Sequence, residues 1–95
     1  MNNVQLSEMS KKQSKIHKGQ WQVVVHNDNH NTFDHVIDCL INICGHNIFQ
    51  AEQCAIIVHS HKTCAVFVDS YTECLQVHEY LHESGLTVTL EKFKK

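Results

Sequence analysis

Residues 21–45 read WQVVVHNDNHNTFDHVIDCLINICG, and the change of period along this stretch decides the fold. Trp21 to His26 is an apolar, β-branched run of strand length. From Phe33 onward the apolar residues Phe33, Val36, Ile37, Leu40, Ile41 and Cys44 return at the spacing of one helix face. Asn31 or Thr32 can cap that helix, and Gly45 stops it. Asn and Asp gather before helices to form turns and caps, so a turn plus cap accounts for the polar run between strand and helix without any ligand. The same run also suits capture of a cationic amine. Asn27 offers an amide oxygen and Asp28 a carboxylate, while no nucleophile is present in it.

Downstream, Asn47 followed by Gln50 reads as a capping box for a second helix running to about His59, with Ala51, Cys54, Ala55 and Val58 on one stripe. Thr63 to Val68 reads as a strand. Ser70 with Glu73 reads as another capping box, opening a third helix that turns Cys74, Val77 and Leu81 inward until Gly85. Leu86 to Phe93 closes as the last strand. The order β-α-α-β-α-β predicts a two-layer α+β domain over residues 20–95, three helices packed on a three-stranded antiparallel sheet. Residues 1–19 are rich in Asn, Gln, Ser and Lys with scattered apolar side chains, which predicts a flexible tail.

Ninety-five residues allow one small domain. A net charge of -2 with no arginine argues against a nucleic-acid partner, which would call for a basic face with guanidinium forks on phosphate. Five cysteines, an odd number, make no closed disulfide framework. Cys39, Cys44, Cys54, Cys64 and Cys74 fall mostly at apolar positions and read as free thiols in a reducing cytosol. The N-terminus has lysines but no apolar h-region, so neither a signal peptide nor a membrane span is expected, and the location expected is cytoplasmic. With no obvious second apolar face the domain is expected to be a monomer, and no cofactor is expected.

The strand leading into HNDNHNTFDHVIDCL, the helix QAEQCAIIVH ending at His59, the strand TCAVFV and the closing GLTVTLEK together resemble the ClpS family over roughly residues 20 to 92. Members of that family are adaptors that deliver N-degron substrates to a Clp-type AAA+ unfoldase. The resemblance implies that Asn27, Asp28 and His59 bind the substrate's α-ammonium. Asn27 would accept a hydrogen bond through its side-chain oxygen, Asp28 would supply the compensating charge directly or through water, and neutral His59 would accept a further proton. Charged hydrogen bonds of this kind contribute about 1.5 to 3 kcal/mol each. Protonating His59 would set two cations together, so binding is expected to weaken below about pH 6.

The resemblance also implies an apolar pocket for a bulky first residue, lined by Thr32, Phe33, Val36, Ala55, Val58 and Leu86, although apolar residues such as Val36, Val58 and Leu86 serve a core equally well. Burying a Leu or Phe side chain there contributes about 1.5 to 3 kcal/mol, comparable to the amine bonds, so both halves of the degron are expected to be needed. The tail, with Lys11, Lys12, Lys15 and Lys18, would be engaged by the unfoldase. The sequence departs from the usual family pattern at several places. Asn29 replaces a second acidic residue, Asn31-Thr32 replaces a Thr-Pro pair, and Ala55 stands where methionine is usual. His61, Lys62 and Thr63 occupy a shortened turn that often holds glycine. The small Ala55 predicts tolerance of β-branched first residues.

Two other classes compete. Nine histidines raise a His-rich metal-binding domain, whose best pair is His78 with His82, one helical turn apart. No Cys-x-x-Cys exists and no third ligand accompanies the pair, so no metal site is predicted. A protein-interaction domain that docks through its helical face without reading N-terminal amines is the other. An enzyme is not expected, because no thiol or hydroxyl stands beside a base and an orienting group.

Overall fold

The computed structural model describes residues 20–94. The expected tail, residues 1–19, lies outside them. The chain runs β1 (Trp21–His26), α1 (Phe33–Cys44), α2 (Ile48–His61), β2 (Thr63–Asp69), α3 (Tyr71–Glu83), β3 (Thr87–Lys92), the order expected from the sequence. No described helix is long and apolar enough to cross a membrane.

β1 is the central strand of an antiparallel sheet ordered β2-β1-β3. Its three consecutive valines suit that place, and Val23, Val24 and Val25 are all buried. Pairing runs from Trp21 opposite Asp69 and Lys92 to His26 opposite Thr63 and Thr87. The C-terminal end of β1 therefore meets the beginnings of both neighbouring strands. Register shifts between Val23 and Val24, where the β2 partners step from Phe67 to Ala65 and leave Val66 as the extra residue of a bulge. The Val66 carbonyl accepts from His46 Nε2 at 2.8 Å.

The helices cover one face, with Leu40, Leu81, Val23, Val25 and Cys74 the largest side chains wholly removed from solvent. Each start is capped. Thr32 accepts from the His35 amide, and Asn47 and Gln50 form the full reciprocal box. At α3 the box is only half built. Ser70 accepts from the Glu73 amide, but the Ser70 amide is taken by the Asp69 carboxylate at 2.7 Å, which lies next in sequence and leaves Glu73 nothing to reach back for. Boundaries also differ from expectation by one or two residues, as where β2 reaches Asp69 and β3 stops at Lys92. α2 runs two residues past His59, and Leu86 precedes β3 rather than opening it, its amide bonded to the Leu81 carbonyl at the end of α3.

Candidate functional site

The loop leaving β1 is organised by one carboxylate. Asp28 Oδ1 accepts from the amides of His30 at 3.0 Å and Asn31 at 3.1 Å, an Asx turn that aims the chain into α1. The Asn31 side-chain amide donates to both Asp28 oxygens, at 3.2 and 2.9 Å, and to the Gly85 carbonyl at 3.0 Å. Thr87 completes the cage with a 2.7 Å bond from its hydroxyl to Oδ2. Burial acts to raise the Asp28 pKa. The Thr87 hydroxyl, the Asn31 and His30 amides and the Asn31 side chain outweigh it and bring it down to about 2. Asp28 is thus ionised at neutral pH.

Asn27 is fixed through its backbone, whose N–H donates to the Lys62 carbonyl at 2.8 Å. Its side chain is exposed and makes no hydrogen bond to another described residue. Opposite stands the end of α2. His59 lies exposed in the last turn, and Lys62 closes the helix in a left-handed conformation, φ 80°, with its N–H on the Val58 carbonyl.

Between these elements opens a cleft of about 980 Å³. Asn27, Asp28 and His59 share it with the apolar side chains of Phe33, Val36, Ala55 and Val58. Phe33 is half exposed at the rim, whereas Ala55 and Val58 are buried in the wall. Leu86 faces a smaller cavity of about 30 Å³ that shares Val36, Val58 and Asp28 with the cleft. Thr32, in contrast, lines neither space, because its hydroxyl is the N-cap of α1. The preceding residue, Asn31, is the one on the wall. Sequence reasoning passed over Asn31 as a ligand of Asp28, although its three-residue offset from an Asx-turn aspartate was the available signal. It also passed over Lys62 and His26, which line the cleft as well.

The competing histidine pair is placed differently. His78 and His82 stack with ring centroids 6.2 Å apart, and His78 Nε2 is engaged by the Val88 carbonyl at 3.3 Å. Among the described residues no group of three or more His, Cys, Asp or Glu side chains is arranged to hold a metal ion. The five cysteines are free. Burial pushes the thiols of Cys44 and Cys64 up to about 12, with Cys54 adding to the rise in both.

The fold is similar to that of ClpS2 from Agrobacterium tumefaciens in a structure bound to L-phenylalaninamide, with a TM-score of 0.66 at 17% identity over 79% of this chain and 98% of that one. No curated protein matches the sequence. The family model for ClpS, described as the ATP-dependent Clp protease adaptor protein, matches residues 7–89. That model spans more than half of the chain, and the chain, an adaptor rather than an enzyme, belongs to the ClpS family.

Proposed function

We propose that the cleft receives the N-terminus of a protein marked for degradation, holding its free α-amine at the Asn27, Asp28 and His59 end and its bulky apolar first side chain against Phe33, Val36, Ala55 and Val58. The adaptor then hands that protein to a Clp-type AAA+ unfoldase. The observation that carries this reading is the meeting, in one cleft, of a carboxylate charged at neutral pH, an uncommitted amide side chain and an apolar wall. An ammonium needs the charge and an acceptor with open lone pairs, and Asn27 provides the latter. Asp28 accepts five hydrogen-bond contacts already, so its part is the field it exerts rather than a vacant oxygen. The phenylalaninamide carried by the Agrobacterium protein pairs a free amine with an aromatic side chain, the chemistry this cleft suits.

Fluorescence anisotropy tests it. A labelled peptide beginning with Leu or Phe should bind at micromolar concentration or tighter, and its N-acetylated twin and a Ser-initiated control should not. Binding indifferent to acetylation would refute the assignment.

A second reading is favoured by the outer side of α2, where Ile48, Phe49 and Ile56 stand 56%, 66% and 48% exposed. Such a face suits docking to a protein. Failure of every free-amine peptide to bind would leave docking as the function of the domain.

A further inference from the structure

Lys62 is the one non-glycine residue with positive φ among the described residues. Left-handed backbone is unfavourable for an L-residue with a side chain, and glycine is the residue that ends helices in this way without cost. A side chain retained in such a conformation beside a binding site is grounds for seeking a role for it. Lys62 meets that condition twice over. It lines the cleft, and its carbonyl holds the Asn27 amide at 2.8 Å, so it stands beside the end assigned to the amine.

The charges in the cleft give the role its sign. Among the described residues Asp28 is the only carboxylate on the wall, and the neighbouring polar residues Asn27, Asn29 and Asn31 are neutral. Lys62 forms no ion pair with a described residue. Once a substrate ammonium is balanced by Asp28, the lysine charge is left over. A cleft of about 980 Å³ also lies at the upper end of the range for sites that enclose a whole small ligand, which leaves room beyond the first residue.

We propose that Lys62 selects for an acidic side chain at the second position of the bound N-terminus. The proposal rests on the amine-binding reading of the cleft and adds to it a preference in sequence. The second residue leaves the cleft past its polar rim, where a carboxylate meets the ammonium of Lys62 and a second positive charge is repelled by it.

The test compares three labelled peptides, identical except that they begin Phe-Glu, Phe-Gln or Phe-Lys, with N-acetylated Phe-Gln as control. Wild type should bind Phe-Glu about fivefold more tightly than Phe-Gln at low salt, Phe-Lys least tightly, with the spread closing as salt is raised. In Lys62→Gly, which suits the left-handed backbone, the Glu to Gln ratio should fall to about one. Equal affinity of wild type for Phe-Glu and Phe-Gln overturns the proposal while Phe-Gln binding that requires a free amine leaves the cleft's assignment intact. A preference that persists in Lys62→Gly overturns it also. Absence of binding to all three free-amine peptides overturns the assignment of the cleft and this proposal with it.

Discussion

Thr87 donates its hydroxyl to Asp28 Oδ2 at 2.7 Å, joining residues 59 positions apart. The bond fastens the first residue of β3 to the loop that leaves β1, and Asn31 fastens the same carboxylate to Gly85 at the end of α3. One side chain thus sets the relation of three segments, and the cleft takes its shape from that. The charge proposed for the site and the bonds that build it belong to the same group, so binding and folding should respond together when either is disturbed.

The first prediction concerns acid. The folded-state pKa of Asp28 is about 2, below the ordinary 3.8, so its contribution to stability is fully present above the unfolded value and is lost as pH falls through the folded one. With allowance for solvent screening it amounts to about 1 kcal/mol. Thr87→Val and Asn31→Ala should each destabilise the domain by about 1 to 2 kcal/mol in urea near neutral pH, and their deficit relative to wild type should shrink in strong acid. A deficit of constant size across that range would show that Asp28 is not the partner through which they act.

Lys62→Gly should stabilise. The left-handed backbone costs a side-chain-bearing residue about 1 to 2 kcal/mol, and glycine's extra freedom in the unfolded chain returns about 0.5 to 1 kcal/mol of that. A net gain of about 0.5 to 1 kcal/mol is expected by urea denaturation. Loss of stability would mean that the lysine side chain makes packing contacts that outweigh the strain.

The elements were legible because their signals are local. Asn47 and Gly45 cap or stop helices by rules that need no tertiary knowledge, and the structure uses both accordingly. Asn27, Asp28 and His59 became readable as a group only through the family resemblance, since all of α1 and most of α2 separate them in sequence, and the structure brings them to one cleft. Asn31 and Thr32 were harder. Both are short polar residues before a helix, and only the position of Gly85 and Thr87 across the fold decides that Asn31 faces the aspartate while Thr32 faces the helix. The half-built box at Ser70 failed for a similar reason, because Asp69 took the amide that the local pattern had assigned to Glu73.

The thiols should be sluggish. Burial, aided by neighbouring thiols, holds Cys44 and Cys64 up to about 12, so at mildly alkaline pH the thiolate fraction of each is about a thousandth of that of an ordinary cysteine. Iodoacetamide followed by peptide mass spectrometry should modify both positions readily in urea and far more slowly in the native protein. Rapid native labelling of Cys44 would show that the contact between α1 and α2 opens often enough to expose it.

Ala55 should set which first residues are admitted. It lies 3% exposed in the wall shared with Phe33, Val36 and Val58, and its methyl group leaves the space that a longer side chain at this point of α2 would occupy. A β-branched first residue is widest next to its own backbone, so it gains most from added space in the wall. Peptides beginning with Ile or Val should therefore bind wild type within about tenfold of those beginning with Leu or Phe. Ala55→Met should weaken the Ile and Val peptides by a further 1 to 3 kcal/mol, about five- to a hundredfold or more, while the unbranched ones lose less. Because the substitution lies in the wall, thermal melts of the free protein must accompany the binding data. A stable Ala55→Met protein that excludes Ile no more strongly than wild type does would remove Ala55 as the determinant and turn attention to the half-exposed Phe33 at the rim.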